Sequence, residues 1–236
     1  MYTTRVSSII TNYFKVIDKK GFILAVFLVL GALIIINALR YTPEIINVNY
    51  LDINRYYNIN GHLWPAGTYD YIIPFISSVL LSFAFYNDYK NNAYEIMTFY
   101  NRHKINTLVC FKLFLYIGIT IISVVIGVTI EYRELISCLS YYFILLIRVI
   151  PPIVFVSGIT VFLIITFKNT SLPLAINFIY VLADVLSDGR VFKIFTLHGN
   201  SFYLSTVNLF YINRFLICIF GIILLIISIY KSSKIN

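Results

Sequence analysis

A chain of 236 residues in which 60% are apolar and only 12% are charged has too little polar surface to cover a soluble globule of its size. Its formal charge of +8 is gathered in short clusters at the ends of apolar runs, where membrane topology and anionic lipid account for it. No readout motif accompanies that charge, which sets nucleic acid aside as a partner.

The composition therefore predicts an all-α membrane protein, a single transmembrane domain over residues 1–236, with the lipid bilayer as its solvent. The arm over residues 1–20 places Val6, Ile9, Ile10, Tyr13, Phe14 and Ile17 on one helical face and Ser7, Ser8, Thr11, Asn12 and Lys15 on the other. Such an amphipathic helix lies on the inner membrane surface or packs on another subunit. No small-residue cleavage site follows the first apolar run, so it is expected to be a retained span.

A crossing needs roughly 20 apolar residues, since ~1.5 Å per residue must cover a hydrocarbon core of ~30 Å. Six segments are expected to cross: Phe22 to Leu39, Tyr71 to Tyr86, Leu108 to Ile130, Ile150 to Phe167, Leu172 to Leu186 and Ile212 to Tyr230. The apolar stretch from Leu135 to Phe167 is too long for one straight crossing and carries Arg148, Pro151 and Pro152 in its middle. It is read as an interfacial helix up to Val149, a proline-marked turn and then a span, with seven crossings as the rival. The segments 40–70 and 187–211 are expected to be extracellular loops, the second dipping back toward the membrane.

With six spans, one side collects Arg5, Lys15, Lys19, Lys20, Lys90, Arg102, Lys104, Lys112, Lys168, Lys231 and Lys234 against only Asp18, Asp88 and Glu95. That side is expected to be cytoplasmic and to hold both termini, at the plasma membrane of the cell. The cysteines Cys110, Cys138 and Cys218 show no metal or redox spacing and are expected to be packing residues.

The loop over residues 87–107, between spans two and three, is the most informative part of the chain. Ala93, Ile96, Met97 and Tyr100 form a short apolar face at helical spacing, with Glu95 beside it and Arg102, His103 and Lys104 after it. A short amphipathic helix held between two spans can dock into a groove on a soluble partner.

Here the sequence resembles the permease subunits of type-2 ABC exporters. That family has an acidic residue closing span two, a Gly- or Asn-rich turn, a glutamate followed by aliphatic residues, a Pro-x-Ser/Thr-Arg stretch and a lysine opening span three. Asp88, Asn91 with Asn92, Glu95 with Ile96 and Met97, Arg102 and Lys112 stand in those places in order. The family's proline is replaced by Tyr100 and Asn101.

The resemblance implies a short cytoplasmic coupling helix through which Asp88, Glu95, Ile96, Met97, Tyr100, Arg102 and Lys104 engage ABC ATPase subunits. ATP and Mg would be held by that partner. This chain has no G-x-x-x-x-G-K-[ST] loop, and so is expected to be neither an enzyme nor the holder of a cofactor or metal. A second permease copy or a related permease would complete the pathway.

Phe83 on span two and Asn177, Tyr180 and Asp184 on span five are candidates for the pathway wall. Asp184 alternatively stands at the outer interface, solvated or paired with Arg148 or Arg190. A weakly charged lining would suit an amphipathic or hydrophobic cargo such as a peptide, lipid-like or drug-like molecule. Other classes remain open. An ATP-independent transporter or channel usually announces internal repeats, and none relates the two halves of this chain. An immunity or structural subunit would resemble a permease without translocating.

Overall fold

A computed structural model of the chain describes residues 27, 31, 68–90, 93–131, 139–199, 204 and 207–232. Among these, regular structure is helical and no strand occurs. The expected amphipathic arm, most of span one and most of the 40–70 loop lie outside the described residues.

A π-helical turn, Thr68–Ile72, leads into α1, Ile73–Lys90. Pro74 stands in the first turn of α1, where its fixed φ suits the helix and its missing N–H is one that a helix start leaves unbonded. α2 runs from Ala93 to Glu131, 39 residues, or about 58 Å at 1.5 Å per residue. The expected separate short helix before span three is corrected by this: residues 93–105 are the first turns of the same helix that goes on to cross. The cause is in the sequence, since no proline and no glycine precedes Gly118 in α2. The position where the resembling family has its proline holds Tyr100 and Asn101.

α3, Leu139–Phe167, corrects a second expectation, because it continues through Pro151 and Pro152 instead of turning there. The two prolines remove only the amides that would meet the carbonyls of Ile147 and Arg148. A turn in so apolar a stretch would leave more backbone groups without partners. Both prolines are buried, and α3 touches all four other helices, so packing holds the line of the helix.

Lys168 takes a left-handed conformation (φ 50°) that ends α3. Asn169 Oδ1 then accepts from the amides of Ser171 and Leu172 at 2.8 and 3.3 Å and starts α4, Ser171–Ser187. Asp188 and Gly189, at φ 50° and 74°, close α4. A loop with a 3-10 turn, Lys193–Phe195, leads toward α5, Val207–Ser232.

Among the described residues, four stretches are long and apolar enough to cross a membrane: Tyr69–Tyr86, Asn106–Thr129, Tyr142–Phe167 and Asn208–Ser232. At 17 residues α4 is shorter. The chain is thus a multi-pass helical membrane protein.

The main core joins α1, α2 and α3 through Leu80, Phe85, Val109, Val124, Ile153, Val161 and Ile164. Along α3, residues 151–153, 155–158, 160 and 161 are all buried, as a helix with neighbours on several sides requires. The outer surface stays apolar, with Phe114, Leu186 and Phe215 at 81%, 78% and 66% exposure, as lipid contact requires.

α3 and α5 are the most extensively packed pair. They cross where Gly158 faces Gly221: a Cβ on Gly158 would fall 2.6 Å from the Gly221 carbonyl oxygen. A Cβ on Gly221 would fall 2.7 Å from Phe155 Cα. In lipid, where apolar side chains gain little from leaving their solvent, such backbone approach is a main source of helix association.

Candidate functional site

The described bundle holds two buried charged centres, one near each end. The first joins the base of α1 to α2. Lys112 Nζ donates to both carboxylate oxygens of Asp88, at 2.8 and 2.6 Å, and to the Ala84 carbonyl at 3.0 Å. Its ammonium also lies 5.4 Å from the Phe85 ring centroid. Burial pushes the Asp88 carboxyl above the usual aspartate value, and Lys112 offsets this only in part.

Asp88 and Lys112 are two of the positions on which the family resemblance rests, and the fold brings them into direct contact. Glu95, Ile96, Met97, Tyr100, Arg102 and Lys104 follow along the first turns of α2, rigidly continuous with Lys112. The Asn91–Asn92 turn lies outside the described residues. At the same end Lys231 Nζ donates to Thr166 Oγ1 at 3.1 Å, and Ser232 Oγ donates to Asn106 Oδ1 at 2.9 Å. Both contacts anchor the end of α5.

The second centre lies toward the opposite end and is built around Asp70 on the π-helical turn. Arg148 of α3 holds its carboxylate in two bonds, Nε to Oδ1 at 3.1 Å and Nη2 to Oδ2 at 2.7 Å. Arg214 of α5 approaches Oδ1 at 3.8 Å, and the Gly199 amide donates to Oδ2 at 2.8 Å. All three charged residues are at least 96% buried. The paired, planar fork of an arginine is the group best suited to a buried carboxylate. Gly199 lets the two guanidiniums come close: a Cβ there would stand 2.7 Å from Arg148 Nε and 2.9 Å from Arg214 Nη2, and both would have to shift.

The loop after α4 is drawn into this centre by its own backbone. Asp184 Oδ2 accepts from Thr196 Oγ1 at 3.0 Å and from the Leu197 amide at 2.8 Å. Asn213 Nδ2 donates to the carbonyls of Ile194 and Thr196, and Arg214 Nη2 to that of Leu197. The Tyr180 hydroxyl donates to the Phe195 carbonyl. In an apolar medium these side chains supply partners that a non-helical segment otherwise lacks. Thr196, Leu197, His198 and Gly199 are buried as a result.

Of the four expected pathway residues, Asn177 and Asp184 are buried on one face of α4 and hydrogen-bonded in the interior through Nδ2 and Oδ2, while Oδ1 of each has no hydrogen-bond partner. Asn177 Nδ2 donates to Ser78 Oγ and Thr160 Oγ1, each at 2.8 Å, which ties α4 to α1 and α3. Asp184 pairs with the loop, not with Arg148, whose carboxylate partner is Asp70. Tyr180 is half-buried against Phe192, with ring centroids 4.3 Å apart. Phe83 stands apart from them on α1, 58% exposed.

Asp70, Gly199 and Arg214 were not singled out by the sequence reading. The signal available was the coincidence of Asp70, Arg148, Asp184 and Arg214 within or beside apolar stretches on the same expected side of the membrane. Among the described residues no group of three His, Cys, Asp or Glu side chains is placed to hold a metal. No family model, no curated protein and no solved structure matches the chain.

Proposed function

We propose that the chain is the membrane-spanning permease subunit of an ATP-driven exporter in the plasma membrane, with six crossings and both termini in the cytoplasm. Separate ATPase subunits would hold ATP and Mg and supply the energy, and a second permease copy or a related permease would complete the pathway. The observation that carries this is the continuity of α2 with its Asp88–Lys112 staple. A force applied near Met97 acts on one unbroken helix, and the buried ion pair transfers it to α1. Two helices moved together at their base are what a coupling between a soluble motor and a membrane path needs. The weakly charged lining expected from the sequence would suit an amphipathic or hydrophobic cargo.

The test is co-purification of the chain with ABC ATPase subunits expressed in the same cells. Glu95→Lys reverses a charge on the expected docking surface and leaves the spans intact, so ATPase recovery should fall. Wild-type stoichiometry and turnover in that variant would overturn the assignment of this segment.

A second reading, an ATP-independent transporter, draws on the buried cluster of Asp70, Arg148 and Arg214 with Asp184 nearby, since ionisable residues at membrane depth often mark ion or proton paths. Transport by the chain alone, driven by a proton gradient with no ATPase present, would select it.

A further inference from the structure

The loop between α4 and α5 is fastened to the bundle residue by residue. Thr196 Oγ1 and the Leu197 amide donate to Asp184, and the Gly199 amide donates to Asp70. A hydroxyl and two amides keep their character at any ordinary pH, so on the loop's side these bonds are permanent. His198 stands between them and is the exception. Its Nδ1 lies 3.4 Å from Oδ1 of Asp188, and its ring meets that of Tyr71 at 83°, with centroids 5.7 Å apart. The His198 amide donates to Thr196 Oγ1 at 3.1 Å, which holds the backbone beneath the ring. Only 8% of the His198 side chain is exposed, against 53% of that of Asp188, so solvent reaches the pair from the Asp188 side.

Asp188 is a fixed post for this contact. It is the left-handed residue that closes α4, and its amide donates to the Val185 carbonyl at 3.2 Å. The charged groups around the ring decide how the contact responds to a proton. From α4 come two carboxylates, Asp188 in contact and Asp184 near enough to act through its charge. The π-helical turn brings the uncharged ring of Tyr71. Beyond Gly199 stand Asp70, Arg148 of α3 and Arg214 of α5, where Arg148 holds the carboxylate directly. Burial disfavours a charged imidazole, and two carboxylates on its α4 side favour it. Neutral, the ring offers Asp188 an ordinary hydrogen bond; charged, it makes a charge-assisted one, about twice as strong. Imidazole is the side chain whose charge ordinarily changes between about pH 5 and about pH 8.

We propose that His198 and Asp188 form a proton-operated latch, which fastens the loop to the end of α4 when the imidazole is charged and eases when it is neutral. The latch adjoins the Gly199 amide, so it sets how firmly the loop closes over the Asp70 centre. This goes beyond the exporter reading and does not depend on an ATPase.

The experiment is hydrogen exchange of the full chain in detergent, read by mass spectrometry on peptides containing residues 196–199, at about pH 5.5 and about pH 8. Each variant is compared with wild type at the same pH, so the intrinsic pH dependence of exchange cancels and titration of Asp184 acts on both chains alike. Asp188→Asn removes the charge and keeps a residue that tolerates the left-handed cap. At about pH 8 it should exchange as wild type does. At about pH 5.5 wild type should exchange roughly threefold to fivefold more slowly than the variant, the range of a partly exposed ion pair. His198→Gln should show the same pattern, and adding it to Asp188→Asn should change nothing further. Asp188→Asn carries the test even if His198→Gln fails to fold. The same ratio of wild type to Asp188→Asn at both pH values, or a wild-type loop less protected than the variant's at the lower one, would overturn the proposal.

Discussion

Asp70 and Arg148, 78 positions apart in the chain, meet in a two-pronged ion pair that is closed to solvent on every side. Such a pair adds little net stability, because desolvation consumes most of the attraction, but breaking it is costly. The consequence depends on which partner is lost. Asp70→Asn takes away the carboxylate that Arg148 holds and Arg214 approaches and is expected to cost about 3–5 kcal/mol. Arg148→Met leaves Asp70 opposite Arg214, with the Gly199 amide still donating, so the carboxylate keeps a cation and a donor. Thermal unfolding in detergent should rank Asp70→Asn as the more damaging. The reverse order would show that Arg214 is no substitute partner.

The crossing of α3 on α5 makes a separate prediction from backbone geometry. Ala at Gly158 must push aside the Gly221 backbone, which cannot rotate away as a side chain can. The loss expected is about 1–3 kcal/mol, the usual cost of overpacking. Gly118 in α2 is the internal control, because nothing lies within 4 Å of a Cβ placed there. Gly118→Ala should be neutral or slightly stabilising, by up to about 1 kcal/mol, through helix propensity alone. Equal effects of the two substitutions would mean that the close crossing does not limit stability.

Asn177, a candidate for the pathway wall, is held in contacts of a structural kind. Its amide bridges Ser78 and Thr160, so Asn177→Leu removes a node between three helices. Hydrogen bonds between membrane helices average about 0.6 kcal/mol, so losing both should cost about 1 kcal/mol. The melting temperature should fall while transport by the surviving protein stays near wild type. An unchanged melting temperature with lost transport would restore the pathway role.

Much of the architecture was legible because the solvent dictates it. Apolar runs of crossing length flanked by Lys and Arg can be read off the chain, and Tyr69–Tyr86, Asn106–Thr129 and Asn208–Ser232 fall close to where those runs stand. Local signals misled at two places. Pro151 and Pro152 suggest a turn, yet α3, packed against four other helices, continues through them. The polar face of residues 93–104 suggests a separate helix, but without a breaker before Gly118 the helix has no reason to end. The buried cluster was hidden for a different reason. Asp70, Arg148, Gly199 and Arg214 belong to four distant segments, each bland alone, and only their meeting in three dimensions gives them a shared role. Asp88 and Lys112 were found because they are close in sequence to a recognisable loop.

That last pair predicts a pH dependence whose sign follows from its burial. The Asp88 carboxyl titrates above its ordinary value of 3.8, chiefly because burial penalises the charged form, with Lys112 pulling in the other direction. Between the ordinary and the raised value the folded chain binds more protons here than the unfolded chain does. Stability from this site is therefore fullest below pH 3.8 and declines as pH rises through the raised value. Lys112→Met removes the offsetting cation, so the declining limb should move to higher pH and the loss at neutral pH should grow. Asp88→Asn should flatten the profile. The measurement is unfolding in detergent from pH 3 to pH 8, compared with the same series in Asp88→Asn. If Lys112→Met instead shifted the limb to lower pH, the ammonium would not be the group that keeps this carboxylate ionised, and the staple between α1 and α2 would have to be held by other contacts.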